Sequence, residues 1–356
     1  MKRIDVLLLL SVIFLTFFGL FMIYDASSFV AFRDFGDKYH YIKGQFFWII
    51  LGFIFLGAFS LFDYHKLFNL ALPILIIGIL LLFMVFVPGL GITLLGARRW
   101  IDFQFFLFQP SEFVKLGLAI YLAAWFSNKE KGRFLAFLML LGLVVLLIML
   151  QPDMGTAAII LSEAVVVYFL SGAKVLYFVL MAPVIAIIGF ILIKIEPYRA
   201  ARLTTFLDPD QSLLTSSYHV RQILIALGSG GLTGVGFGNS LQKYAYLPEN
   251  TTDSIFAIIA EEVGFLGSTV IILLFTVVVW RGFYIAIHAK DNFGKLLAGG
   301  ITTFLAMQVF INLASQTALL PLTGIPLPFI SYGGSALIMN LAAVGILCNI
   351  SRQKAI

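Results

Sequence analysis

Ten apolar stretches, each near the length that crosses a hydrocarbon layer, constrain this chain more than any other feature of its sequence. They fall at 6–24, 45–62, 71–88, 112–126, 134–150, 155–170, 175–193, 254–280, 297–320 and 332–350. A spanning helix needs roughly 20 mainly apolar residues, and a chain in lipid must satisfy its backbone hydrogen bonds within itself. With 61% apolar residues and 12% charged ones, against about 25% charged in soluble domains, the chain cannot cover a water-facing surface. The expected fold is an all-α polytopic membrane protein of ten transmembrane helices, forming a single membrane domain over 1–356. The tightest pair of helices is divided by Gln151, Pro152 and Asp153.

Cys348 is the only cysteine, which excludes an intrachain disulfide and a cysteine metal cluster. The net charge of +5 is read as topology, with no nucleic acid partner. The 6–24 run follows Lys2 and Arg3 and precedes no small-residue cleavage site, so it is expected to be retained as the first span. An even count puts both ends on one side. A cytoplasmic N-terminus gives that side twelve lysines and arginines, namely Lys2, Arg3, Lys66, Lys129, Lys131, Arg133, Lys174, Arg281, Lys290, Lys295, Arg352 and Lys354. The short outer loops then hold five: Arg33, Lys38, Lys43, Arg98 and Arg99. Both termini are therefore expected in the cytoplasm. The long segment 194–253, between the seventh and eighth helices, is expected outside as an extracytoplasmic loop. Within it, 197–206 and 218–227 read as short amphipathic helices, the second ended by Gly228. Arg199, Arg202 and Arg221 would sit at headgroup level.

In this topology every even-numbered helix starts at the outer face. The fourth, sixth, eighth and tenth open with Gln109-Pro110-Ser111-Glu112, Gln151-Pro152-Asp153, Thr251-Thr252-Asp253 and Ser331-Tyr332-Gly333-Gly334-Ser335. Each can be a helix cap, but three acids in one layer also fit a lined polar cavity. Lys115, one turn from Glu112, faces the same way, either as part of that cavity or as a staple between helices. Arg98 and Arg99, beside Trp100, can grip a lipid phosphate or only headgroups. The glycine run 228–238 matches neither GxGxxG in register nor a P-loop, and is read as letting backbone approach backbone or ligand. The sequon at Asn250-Thr251-Thr252 carries no weight. Glu261 and Glu262, about two turns into their helix, are read as structural.

These motifs together resemble the SEDS family (shape, elongation, division and sporulation) along nearly the whole chain. The matching segments are GLFMIYDASS at 19–28, GARRWI at 96–101, QPSEFVKL at 109–116, QPDMGTA at 151–157, the run from 218 to 267 and GIPLPFISYGGS at 324–335. GFGNSLQKYAYLPE at 236–249 with NISR at 349–352 is similar to division-type, FtsW-like members more than to elongation-type, RodA-like ones. The resemblance implies an inverting glycosyltransferase of the bacterial cytoplasmic membrane that polymerises lipid II into peptidoglycan at the outer face, for septal synthesis. It would work with a class B penicillin-binding protein and other division or elongation membrane proteins. It also implies that Asp253 is the essential aspartate, as the base that takes a proton from the acceptor hydroxyl. Gln109, Glu112, Gln151, Asp153 and Ser331 are expected to contact substrate. Positive charge for the leaving pyrophosphate would come from Arg98, Arg99, Lys115, Arg221 or Lys243, or from a divalent cation (Mg or Mn) held by Asp253 or Glu112. Ser254 stands where the family usually has Phe, and Asp25 where the first helix usually ends in Ser. An elongation-type polymerase, a lipid II flippase and a non-catalytic division scaffold are the alternatives.

Overall fold

The computed structural model describes residues 4–94, 96–127, 132–195, 197–207, 215–244 and 246–353. Lys2, Arg3, Lys129, Lys131 and Lys354 of the topology reading, and the side chain of Arg199, lie outside the described residues. Twelve helices are described: α1 (Val6–Phe35), α2 (His40–Leu61), α3 (His65–Met84), α4 (Pro110–Phe126), α5 (Phe134–Leu150), α6 (Met154–Leu170), α7 (Val175–Ile195), α8 (Pro197–Leu207), α9 (Thr215–Ser229), α10 (Ile255–Ile287), α11 (Asn292–Gln316) and α12 (Gly334–Arg352). Each of the ten apolar stretches overlaps one of them. Six, namely α1, α2, α3, α10, α11 and α12, are long and apolar enough to cross a membrane by length and composition. The segment expected as a long loop carries α8 and α9. The second runs on to Ser229, past Gly228, and the first left-handed glycine after it is Gly231 (φ 52°).

The all-α expectation needs one correction. Between α3 and α4 the chain forms a three-stranded antiparallel sheet, β1 (Gly91–Leu94), β2 (Ala97–Asp102) and β3 (Leu107–Phe108). Gly91 pairs with Ile101, Leu94 with Ala97, and Ile101 with Phe108. Ala97 and Ile101, four apart on one face of β2, are its buried residues. Strands this short, interrupted by Arg98 and Arg99, leave too little alternation to tell from a loop.

Local chemistry sets several helix ends. Asp5 accepts from the Leu8 amide at 3.1 Å and starts α1, and Asp291 accepts from the Gly294 amide at 2.8 Å and starts α11. Burial then sorts the helices into layers. In their most apolar windows 78% of α11 and 72% of α12 is buried, against 28% for α2, α3 and α10. The first two therefore form the centre, and the others turn broad faces of Phe, Leu and Ile outward. Close contact depends on small residues: a Cβ on Gly345 of α12 would lie 2.5 Å from the Leu56 carbonyl oxygen of α2.

The most unusual element is α10, which breaks at Gly264 (φ 68°, ψ −169°). The break frees peptide groups in a helix that would otherwise pair them internally, and the glycine run receives them. The Val235 and Gly236 amides donate to the Glu261 and Glu262 carbonyls at 3.0 Å each, and the Phe265 and Leu266 amides donate to the Gly231 and Leu232 carbonyls at 2.9 and 3.1 Å. The backbones touch so closely that a Cβ on Gly234 would lie 2.0 Å from the Glu262 carbonyl oxygen. The expected close-packing role of these glycines is thereby met.

A Cβ at Gly264 would lie 2.2 Å from the Gly234 nitrogen, in a conformation that side chains rarely adopt. Gly264→Ala is expected to destabilise the protein by about 2–4 kcal/mol from strain and overpacking together. Thermal unfolding in detergent checks this, and an unchanged midpoint would show that the junction tolerates a methyl group.

Candidate active site

Asp253 closes a turn at the start of α10. Glu249 takes a positive φ of 52°, which lets its carbonyl accept the amides of Thr252 and Ser254 at 3.2 Å each. Neighbouring elements then clamp the turn. Asn312 and Gln316 of α11 donate to the Asp253 carbonyl at 2.9 and 2.7 Å. The Ser331 hydroxyl donates to the Thr252 carbonyl at 2.6 Å and accepts the Leu327 amide at 2.8 Å. The Tyr332 amide donates to the Thr251 carbonyl at 2.9 Å, and Gln45 of α2 donates to the Ser331 carbonyl at 3.3 Å. The backbone of Asp253 is thus held from several sides while its half-buried carboxyl lies beside Gly324, where a Cβ would come within 3.8 Å of Oδ2. Burial, with the charge of Glu249 added, pushes this carboxyl up from the usual carboxylate range to about 7, against the opposing pull of the Thr252 hydroxyl and Arg202. A carboxyl there can give and take a proton near neutral pH.

Gln308, Asn312 and Gln316 recur every four residues and form one buried polar stripe on α11. Lys115 of α4 donates to Gln308 at 2.7 Å and pairs with Glu112 at 2.9 Å. Gln308 in turn donates to the Pro326 carbonyl at 3.0 Å, and Asn312 to the Ile325 carbonyl at 2.8 Å. The Glu112–Lys115 pair and Asp253 therefore rest on the same helix face and the same segment before α12. Glu163 of α6 is fully buried within electrostatic reach of Lys115, and neither of its carboxyl oxygens has a hydrogen-bond partner among the described residues.

The other candidates have nearer duties. Asp153 caps α6, accepting from the Thr156 amide and hydroxyl at 3.0 and 2.8 Å. Gln151 donates to the Leu82 carbonyl at 3.1 Å, and the Gln109 amide donates to Ser335 at 3.2 Å. Arg98 holds the Phe86, Val87 and Gly91 carbonyls at the end of α3. Arg99 holds those of Gln151 and Pro152 between α5 and α6. Both guanidiniums tie the sheet to the bundle. Arg221 is exposed on α9.

Lys243 is buried in a separate cluster, bonded to Asp25 at 3.0 and 3.2 Å and to Glu262 at 3.3 Å. Burial works against its charge, but Asp25 and Glu262 outweigh it and raise the pKa. Glu262 also accepts the Gly238 and Ser240 amides at 3.1 and 3.2 Å, and Glu261 accepts the Leu241 amide and the hydroxyls of Ser229 and Ser240. These two glutamates hold the glycine run in place.

Three site residues had a signal that apolar content hides. Gln308, Asn312 and Gln316 lie at helical spacing inside the 297–320 stretch, and amides in that pattern mark a face that needs partners. Arg202, which donates to the Leu322 carbonyl at 2.6 Å, approaches Asp253 only through tertiary structure.

The family model described as "Cell cycle protein", FtsW/RodA/SpoVE, matches residues 5–356. The chain belongs to the FtsW/RodA/SpoVE family. It is 41% identical over 357 residues to stage V sporulation protein E of Bacillus subtilis, covering 98% of this chain and 97% of that one. It is 40% identical over 363 residues to the probable peptidoglycan glycosyltransferase FtsW of Geobacter sp. (strain M18), covering 99% of each. Among solved structures of the family, the rod shape determining protein RodA of Thermus thermophilus superposes with a TM-score of 0.73 at 28% identity, over 99% of this chain and 97% of that one. A chain from a peptidoglycan synthase complex that coordinates polymerisation and crosslinking superposes with a TM-score of 0.81 at 26% identity, over 98% of each.

A crevice of about 310 Å³, lined by Leu61, Asp63, Asn349, Arg352 and Gln353, lies at the opposite end of this FtsW/RodA/SpoVE bundle. That end is closed by Arg281, bonded to Asp5 at 3.0 and 2.5 Å, and by Ser351, which accepts the Asp5 amide at 3.1 Å.

Removing one partner of a buried ion pair costs about 3–5 kcal/mol, whereas replacing both is far cheaper. Lys115→Met is expected to lower stability by that amount, and Lys115→Met with Glu112→Gln to recover most of it. Unfolding measurements on the two single variants and the double one check this, and additive losses would show that the two residues are not coupled.

Proposed function

We propose that this membrane protein is a peptidoglycan glycosyltransferase that polymerises lipid II at the outer face of the cytoplasmic membrane, with Asp253 as the general base. The observation that carries the reading is the placement of Asp253. Its backbone is fixed by α11 and Ser331, and burial pushes its carboxyl up to about 7. The names of relatives covering almost the whole chain support the activity.

In the proposed reaction the acceptor sugar's hydroxyl attacks the anomeric carbon of the lipid-linked donor. Asp253 takes the hydroxyl proton as the new glycosidic bond forms and the bond to pyrophosphate breaks. Arg202, within electrostatic reach of Asp253, is the cation best sited to face the departing pyrophosphate. Lys115 of α4 bonds Gln308 of the α11 stripe, and Arg221 is exposed on α9. Gln151 holds the Leu82 carbonyl, Asp153 caps α6 and Gln109 bonds Ser335 through its own amide, so these residues would shape the surroundings of the site. A divalent cation finds a poor home in these side chains. No group of three or more His, Cys, Asp or Glu residues is gathered to hold a metal among the described residues, and Glu112 is already neutralised by Lys115. No step is routed through such an ion.

The finer reading is a ten-span topology with both termini cytoplasmic and the α8–α9 connection outside. It is supported by the ten helices over apolar stretches and by the lysine and arginine count. We further read the protein as the septal, FtsW-like polymerase paired with a class B penicillin-binding protein. The likeness to a chain of a peptidoglycan synthase complex supports the pairing. Rescue of septation in cells depleted of their native FtsW tests the septal role, and rescue of rod elongation alone would overturn it.

Purified protein with its partner is expected to convert lipid II into glycan chains, and Asp253→Asn to abolish this, with a loss of about 10²-fold or more. Because the acid form cannot accept a proton, the wild-type rate should rise with pH through about 7. The same shift has a stability sign. A carboxyl raised by the fold favours folding below the ordinary carboxylate range, and that contribution is lost as pH rises through about 7. Asp253→Asn is thus expected to gain thermal stability relative to wild type above pH 7. Sustained polymerisation by the variant would remove Asp253 from the chemistry.

A further inference from the structure

Ser254 occupies the N-cap of α10, where a serine hydroxyl ordinarily accepts from an amide in the first turn. It does not do so. At φ −100° and ψ 5° its side chain makes no cap bond, and its Oγ lies 2.7 Å from Nε2 of His219 on α9. Ser254 is buried, and its own amide donates to the Glu249 carbonyl at 3.2 Å. One hydroxyl adjacent to Asp253 therefore ties the start of α10 to a helix 35 residues earlier.

We propose that His219 is a positioning residue for Asp253: by holding Ser254 from α9, it fixes the turn that aims the Asp253 carboxyl. The proposal rests on the reading of Asp253 as the base.

The surroundings suit a permanent latch. Burial, with the charge of Arg202 added, pushes His219 down to about 4, so the ring stays neutral at working pH. A neutral imidazole keeps one donor and one acceptor nitrogen, and either role satisfies a hydroxyl. The charged groups around the carboxyl are Glu249 from the same turn and Arg202 from α8. The neighbours from α11 and the segment before α12, namely Asn312, Gln316 and Ser331, do not titrate. Arg202 acts on both His219 and Asp253 and donates to the Leu322 carbonyl. The α8–α9 connection thus reaches the catalytic turn from two helices. Without the His219 bond, Ser254 is free to turn back and cap α10, and the backbone on which Asp253 sits moves with it.

The test is steady-state polymerisation of lipid II by the purified protein with its partner, comparing wild type with Asp253→Asn, His219→Ala, His219→Gln, Ser254→Ala and the double variant His219→Ala/Ser254→Ala. His219→Ala and Ser254→Ala are each expected to lower kcat by roughly tenfold to a hundredfold, the scale of a small misplacement, with KM and melting temperature little changed. The double variant should be no worse than either single one. His219→Gln, whose amide also donates and accepts, should restore most of the rate. Wild-type kcat in His219→Ala or Ser254→Ala, multiplying losses in the double variant, or a Gln variant as slow as the Ala variant would each overturn the proposal. Should His219→Ala fail to fold, Ser254→Ala and His219→Gln decide it by the same criteria. An active Asp253→Asn would overturn the assignment of the base, whereas an inert one beside an unaffected His219→Ala would overturn the latch alone.

Discussion

Hydrocarbon offers a peptide group no hydrogen-bond partner, and the break in α10 at Gly264 is possible only because another stretch of backbone supplies one. The glycine run lies against the broken helix with amides and carbonyls exchanged in both directions. Its own position depends on Glu261 and Glu262, whose carboxylates accept the amides of Gly238 at its end and of Ser240 and Leu241 just beyond it. The buried negative charge is answered by Lys243, which also reaches Asp25 on α1. A break in one helix thereby fixes where α9 ends and where α10 begins, and so where Asp253 and His219 stand.

The second support is α11. It is apolar enough to lie among other helices, yet it carries three amides on one face that meet neighbouring side chains and carbonyls. Buried polar networks contribute order when their members are satisfied. Here the order is positional: the Asp253 turn and the Glu112–Lys115 pair are set relative to each other through a single rigid element. Catalysis by a positioned base gains from such rigidity, because small displacements of the reacting group reduce rate steeply.

Much of this was legible in the residues. Long apolar runs gave helices, the acids at helix starts offered Asp153 both as a cap and as a substrate contact, of which the cap is what the fold shows, and the glycine run offered close backbone contact. Other features were hidden for identifiable reasons. The sheet at 91–108 is held by Arg98 and Arg99 gripping distant carbonyls, and guanidiniums that look ready for a phosphate look the same when they bind backbone. Lys243 pairs with Asp25 across 218 positions, a distance over which sequence carries no geometric signal. Apolar averaging concealed Gln308, Asn312 and Gln316, since a 25-residue helix that carries three amides still averages as apolar. Ser254 was visible as a departure from the family pattern, but its partner on α9 was not.

The contacts that hold the Asp253 turn join residues far apart in the chain, and this bears on biosynthesis. Asp253 leaves the ribosome before the α11 amides that receive its carbonyl, and Ser331, which secures Thr252, follows later still. At the other end, Asp5 waits for Ser351, 346 positions downstream. Helices released from the translocon early must therefore linger as a loose raft in the lipid, and the enzyme becomes competent only as its final segment enters the membrane.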